Sequence, residues 1–236
     1  MQNKSSIEEI RARFDNDVAR FSNLDTGQVS TIDATVSLEL ITESAKRIAP
    51  NATTLLDVGC GAGNYTLKML QKLPGLNCTL VDISRPMLDK ALERVTPETR
   101  GTVAALQGDI RTVALPENHF DIILAGAVLH HLRDDNDWEA TFGKLYRLLK
   151  PGGCLMISDL VIQETEAITA YTWERYGDYL ESINGRNYRQ SVMDYIAKED
   201  SPRSVTYQLA LMKKLGFRDT EILHKNMCFA AFGGIK

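Results

Sequence analysis

Apolar residues recur at spacings of three or four near the start of the chain. Ile7, Ile10, Phe14, Val18 and Phe21 stand among charges, which predicts a helix over 7–21 with one apolar stripe. Leu38, Ile41, Ala45 and Ile48 repeat the pattern, and Pro50 closes it. From residue 53 the period changes. TTLLDV (53–58), CTLVDI (78–83), VAALQG (103–108), FDIILA (120–125) and CLMISDL (154–160) are short apolar runs, as strands buried on both faces should be. A helix is expected from Tyr65 to Leu73, stopped by Pro74-Gly75, and another after Ser84, with Pro86 in its first turn. Trp138, Phe142, Leu145 and Leu149 mark a further helix that ends at Lys150-Pro151-Gly152-Gly153.

Residues 162–200 break this rhythm. They hold Tyr171, Trp173, Tyr176, Tyr179, Tyr188 and Tyr195, with Arg175, Arg186 and Arg189, and read as a mostly helical insertion. A helix over 204–215 ends before Gly216. TEILHK (220–225) and MCFAAFG (227–233) lie too close together for a helical crossover, so they should form an antiparallel hairpin. Alternating strands and helices predict an α/β fold around a doubly wound, mainly parallel sheet. The expected organisation is a single domain over 1–236. It has N-terminal helices (1–50), a core (51–160), a helical lid insertion (161–203), and a last helix with a terminal hairpin (204–236).

The 236 residues carry a net charge of −4 with 44% hydrophobic residues, enough for a core without staples. The acidic balance disfavours a nucleic-acid binder. Cys60, Cys78, Cys154 and Cys228 form no CxxC pair and sit in apolar runs, which argues against a zinc site and fits a reducing cytoplasm. The first residues, MQNKSSIEEIRARFDND, lack an apolar signal region, and no run approaches the roughly 20 apolar residues a bilayer requires. A cytoplasmic protein without a membrane partner is expected.

Asp57-Val58-Gly59-Cys60-Gly61-Ala62-Gly63 lies between a strand and a helix. Glycines at such a turn permit positive φ and the close approach of a ligand to backbone, where open α/β sheets bind ligands. The dinucleotide pattern GxGxxG needs a third glycine, but Asn64 or Thr66 stands there. Asp57 would repel a pyrophosphate and attract an ammonium group, directly or through a water. Asp82 ends the second strand, where a carboxylate can accept ribose hydroxyls. Asp109 ends the third strand, with Ile110 available to an adenine face. Any one such acid is more often a cap or a solvated turn residue. Three of them beside GxGxG suit a cationic sulfonium nucleoside better than a polyanion.

The ordered set LLDVGCGAGNYT, LVDIS, GDI, FDIILAGAVLHHL and LLKPGG resembles the motifs of class I S-adenosylmethionine-dependent methyltransferases over roughly residues 50–160. The resemblance implies a seven-stranded, Rossmann-like sheet with a reversed last strand. It implies that Asp57, Gly59, Cys60, Gly61 and Gly63 hold the methionine part, Asp82 the ribose, and Asp109 and Ile110 the adenine. Ile83 and Met87 are counted with the same site, and Gly126 would lie alongside the cofactor. S-adenosylmethionine is thus the expected cofactor and S-adenosylhomocysteine the product. The start with Arg20-Phe21-Ser22-Asn23, the insertion and the ending are also similar to carboxy-S-adenosylmethionine synthases and their methyltransferase relatives. Phe21 stands where those synthases carry a cofactor-touching Tyr, and Gly126 where they carry Asn. Arg189 is the counterpart considered for the Arg that holds their extra carboxylate. These departures favour methyl transfer to a small-molecule acceptor. A synthase-like activity, an oxidoreductase on a similar sheet and a non-catalytic cofactor-binding protein are the alternatives.

Methyl transfer demands positioning and desolvation more than a fixed catalytic motif. His130 and His131 follow the fourth strand and are the candidates for a base. Packing under the loop and capping a helix end is the simpler role for them. The four histidines form no HxxxH or HxH set with acids, so no metal is expected. Trp173, Tyr176, Arg186 and Arg189 are the acceptor candidates, because aromatics can stack on or cradle a ligand and Arg can grip an anion. The insertion's own core, or a homodimer contact through it or the N-terminal helices, would account for the same residues.

Overall fold

Helices must cover both faces of a sheet whose strands are apolar throughout, and the chain does this with seven strands and helices on either side. A computed structural model describes residues 4–23 and 28–236; the remainder of the N-terminal segment, 1–3 and 24–27, lies outside the described residues. The strands are β1 (Thr54–Val58), β2 (Asn77–Asp82), β3 (Val103–Gln107), β4 (Phe120–Gly126), β5 (Leu149–Leu160), β6 (Arg218–Asn226) and β7 (Phe229–Ile235). Their order is β3-β2-β1-β4-β5-β7-β6. Strands β1 to β5 pair in parallel, and β7 runs antiparallel to both β5 and β6. The expected doubly wound sheet with a reversed last strand is therefore the observed one. The terminal hairpin is present too.

Successive residues of β1 serve opposite faces, as the period of two requires. Leu55 joins Leu80, Ile122 and Leu124 on one face, with Met69, Leu88 and Ile41 from the covering helices. Leu56 and Val58 join Val81, Ile123 and Ala125 on the other, with Trp138, Phe142 and Leu145. The first face is covered by α3 (Ala34–Ile48), α4 (Asn64–Leu70) and α5 (Arg85–Val95), and the second by α6 (Asp135–Leu148) and α8 (Val205–Leu215). Helix starts follow local chemistry. Ser84 accepts from Met87 N ahead of α5, Asp134 from Asp137 N ahead of α6, and Ser204 from Tyr207 N ahead of α8.

Two helical segments differ from expectation. The predicted helix over 7–21 breaks at Asp17 into α1 (Ile7–Asn16), with a capping box between Ser6 and Glu9, and a short α2 (Val18–Phe21). The insertion forms α7 (Glu166–Glu199), which is interrupted by non-helical backbone at Asn184 and Gly185, the latter at φ +77°. Its two arms meet where Gly177 lies under the Arg189 guanidinium. Together they build a separate apolar cluster around Tyr176, Leu180, Val192, Leu160 and Phe229. No described helix is long and apolar enough to cross a membrane.

Asp57 ties β1 to α4 from inside the sheet. It is 1% exposed, and its Oδ2 accepts from Thr66 Oγ1 at 2.6 Å and Thr66 N at 3.2 Å. Burial pushes its carboxyl up from an ordinary 3.8 to about 7, against the pull of those two bonds. The folded protein thus keeps a proton that the unfolded chain loses near 3.8. The stability this proton confers is complete below 3.8 and is lost as pH rises through 7. Asp57→Asn cannot ionise, so its stability should gain on the wild type by roughly 2–4 kcal/mol as pH climbs across that window. Urea unfolding of both proteins at a series of pH values measures the difference; parallel profiles would contradict the assignment.

Candidate active site

The carboxyl ends of β1, β2, β3 and β4 open onto one cleft, roofed by α1, α2 and the insertion. Its floor is the turn after β1. Gly59 adopts φ +64°, and a Cβ there would lie 2.5 Å from Val128 Cγ2, so only glycine fits without displacing the turn after β4. At Gly126, the end of β4, a Cβ would run into the Tyr65 ring. Tyr65 is buried, which pushes its hydroxyl up to about 12 against the opposing pull of Ser158 near the end of β5.

Asp82 sits at the end of β2 on the cleft wall. Its Oδ2 accepts from Gly61 N at 2.8 Å and its Oδ1 from Ser84 N at 2.8 Å. Each oxygen keeps a lone pair for a ligand hydroxyl. Burial pushes the Asp82 carboxyl up, opposed by these backbone bonds. Asp109 also lines the wall, with Ile110, but its carboxylate is gripped by Arg111 through Nε at 3.0 Å and Nη2 at 2.6 Å. Burial alone would raise the Asp109 carboxyl; the Arg111 guanidinium outweighs it and holds it low.

The N-terminal segment is fastened across the opening. Asn64 Nδ2 donates to Phe21 O at 2.9 Å, and Ser84 Oγ to Asp15 Oδ1 at 2.6 Å. Arg13 pairs with Glu199 at the end of α7 through Nε at 2.8 Å and Nη2 at 2.6 Å, and its guanidinium lies over the Phe14 and Tyr195 rings. Phe14, Phe21, Tyr176 and Tyr195 thereby face a chamber beyond the glycine turn.

A polar cluster closes the far wall. His130 donates its backbone N–H to Asp159 Oδ2 at 3.0 Å, while its Nδ1 meets Asp159 Oδ1 in a short contact. His130 Nε2 lies 3.7 Å, and His131 Nδ1 3.1 Å, from Asp200 Oδ1. Burial disfavours charge on His130, but Asp159 and Asp200 overrule it and lift the imidazole to about 9. The same histidines hold the Asp200 carboxyl low against the effect of its burial.

Most of the residues singled out from sequence meet here. Gly59, Cys60 and Gly61 line the turn; Asp82, Ile83, Met87, Asp109 and Ile110 line one wall; Phe21, Gly126, His130, His131 and Tyr176 line the rest. Five do not reach it. Asp57 is turned to Thr66 beneath the turn and does not line the cleft. Gly63 instead lets α4 pack on Val95 and Ala91 of α5. Trp173 packs in the insertion's own core. Arg186 pairs with Glu181 at 3.1 Å, and Arg189 with Asp178 at 3.1 Å and Glu181 at 3.2 Å, all within the insertion. Sequence reasoning missed Arg13, Phe14, Asp159, Tyr195 and Asp200. Asp159 carried a readable signal, an acid ending the fifth strand like those ending the first three. Asp200 carried none.

Residues 55–153 match the family described as "Methyltransferase domain". The chain is 25% identical over 182 residues to the malonyl-[acyl-carrier protein] O-methyltransferase of Priestia megaterium, covering 76% of this chain and 62% of that one. It is 32% identical over 127 residues to the 2-methyl-6-phytyl-1,4-hydroquinone methyltransferase of Synechocystis, covering 53% and 38%. The chain thus spans less than two thirds of these relatives' length. The fold is shared with the N-methyltransferase NodS from Bradyrhizobium japonicum, solved with S-adenosylhomocysteine, at a TM-score of 0.65 and 15% identity over 95% of this chain and 97% of that one. It is shared equally with the 1,6-didemethyltoxoflavin-N1-methyltransferase of Burkholderia thailandensis, at a TM-score of 0.65 and 15% identity over 100% and 92%. Residues 55–153 thus match a methyltransferase domain, and the sheet as a whole has the fold of S-adenosylmethionine-dependent methyltransferases.

Proposed function

We propose that this chain binds S-adenosylmethionine on the glycine turn and transfers its methyl group to a small molecule held in the aromatic chamber. The observation that carries the reading is Asp82. Its two carboxylate oxygens are fixed by Gly61 N and Ser84 N, and it faces the cleft with lone pairs to spare, as a ribose diol requires. The low Asp109 carboxyl and the bare Gly59–Gly61 backbone extend that wall in the directions of a base and an amino-acid tail. The relatives' printed names, for a hydroquinone and an acyl-carrier-protein conjugate, support a small acceptor group rather than a nucleic acid.

When bound, the sulfonium supplies an electrophilic methyl carbon whose bond to sulfur breaks as the acceptor's lone pair forms the new bond. The protein's part is placement and exclusion of water. Phe14, Phe21, Tyr176 and Tyr195 present ring surface to the acceptor. The Arg13–Glu199 pair and the Asn64–Phe21 bond hold the strap that shields the reacting atoms from solvent. Cofactor and acceptor thus have separate walls, one polar and carboxylate-lined, the other aromatic.

The direct test is incubation with S-adenosylmethionine and pools of small hydroxy, amino and thiol acceptors, followed by quantitation of S-adenosylhomocysteine. Acceptor-dependent release supports methyl transfer; tight cofactor binding with no release from any pool would favour a non-catalytic protein. Asp82→Ala should weaken S-adenosylhomocysteine binding by roughly 1–3 kcal/mol, because it strands both ribose hydroxyls; unchanged affinity in calorimetry would refute the ribose assignment. Phe14→Ala should raise the KM of an identified acceptor about tenfold or more, while affinity for S-adenosylhomocysteine stays within about twofold. Equal losses in both would place Phe14 on the cofactor instead.

A further inference from the structure

The polar cluster on the far wall is not explained by cofactor binding. His130 and His131 occupy the tight turn after β4, and Asp200 follows the last residue of α7. One donor atom from each of the three lies within 4.8 Å of the others. We infer that His130, His131 and Asp200 form a binding site for a single divalent transition-metal ion at the acceptor end of the cleft.

Three features of the geometry carry this. First, the spacings suit ligands of a common ion. Bonds of about 2.0–2.2 Å to imidazole nitrogen and carboxylate oxygen put neighbouring ligand atoms roughly 3–3.5 Å apart. The observed values are 3.1 Å for His131 Nδ1 and 3.7 Å for His130 Nε2 to Asp200 Oδ1. Second, Asp200 is 4% exposed and its Oδ1 accepts no hydrogen bond, even though His131 Nδ1 is so close. His131 Nδ1 reaches Glu199 O only at 3.5 Å, so this nitrogen and the Asp200 oxygen lie side by side with no well-aligned bond of their own. An orphaned buried carboxylate oxygen is costly unless a cation completes it.

Third, the outer shell is built. The Nδ1 of His130 is taken by Asp159, which leaves Nε2 as its only free ring nitrogen. Asp159 is held in turn by the backbone N–H of His130 at 3.0 Å and of Leu160 at 2.8 Å. A carboxylate behind an imidazole is the usual device for fixing a metal ligand's orientation. The neighbouring guanidinium groups are engaged elsewhere. Arg13 grips the Glu199 carboxylate, and Arg133 donates to the main chain at Glu199 and Ser5.

Two imidazoles and one carboxylate favour zinc, iron(II) or manganese(II) over calcium or magnesium. All three ligand residues line the cleft, so the ion's remaining positions would be open to an oxygen or nitrogen atom of the acceptor. That last consequence rests on the methyl-transfer reading. The ion site itself does not, and it can be tested without turnover.

The test uses the full chain, stripped with a chelator and then titrated with Zn2+ in a calorimeter and with Co2+ in an absorption cell. One ion should bind per chain. NMR of the imidazole groups should show the His130 and His131 signals shifting in step with added Zn2+, while those of His119 and His224 stay in place. Asp200→Asn and His131→Gln should each weaken Zn2+ binding at least tenfold, with S-adenosylhomocysteine affinity within about twofold of wild type. No saturable one-to-one binding, or a titration that moves only His119 or His224, would overturn the inference even if a variant failed to fold. So would variants that bind Zn2+ as the wild type does. Failure of this site with intact S-adenosylhomocysteine binding would leave the cofactor assignment standing.

Discussion

The cleft depends on one carboxylate held by backbone. Asp82 joins the turn after β1 to the start of α5 by accepting from Gly61 N and Ser84 N. Those two bonds set the spacing between two strand ends and keep the carboxylate ionisable in a buried place. The positive φ angles at Gly59 and Gly61 aim the Gly61 N–H at Asp82, and Ser84 doubles as cap of the helix that follows. Positioning of the wall, the turn and the helix is therefore one event in the folded chain.

Around that point the molecule divides its labour by layer. The parallel sheet, apolar on both faces, supplies rigidity. The strand ends supply polar groups at fixed places, which is why acids at the ends of β2, β3 and β5 all meet the cleft. The N-terminal helices and the insertion supply ring surface, and both are joined to the core mainly by side-chain and terminal backbone contacts. Such segments open at lower free energy than core strands.

The sheet was legible because short apolar runs separated by helical periods leave few alternatives. The glycine turn, Asp82, Asp109 and Gly126 were legible because position at a strand end predicts orientation. Two departures from expectation share a cause. Asp57 was read by its charge, but it lies one residue inside β1, on a covered face, where Thr66 completes it. Arg186 and Arg189 were read as free cations, but the Asn184-Gly185 break folds the insertion back, so that Asp178 and Glu181 meet them. Chain reversal inside a helical stretch brings together charges that linear spacing keeps apart. The clustering of His131 with Asp200 was hidden for the same reason, since their contact exists only once the insertion has returned to the core.

The seam between the N-terminal segment and the insertion has a kinetic implication. Ser5 N meets Lys198 O at 2.9 Å, Arg133 reaches Ser5 O at 2.8 Å, and Arg13 clasps Glu199. Arg13 and Arg133 line the cleft, so these links run along its rim. Were the seam to gate the proposed methyl transfer, one and the same opening would serve arrival and departure.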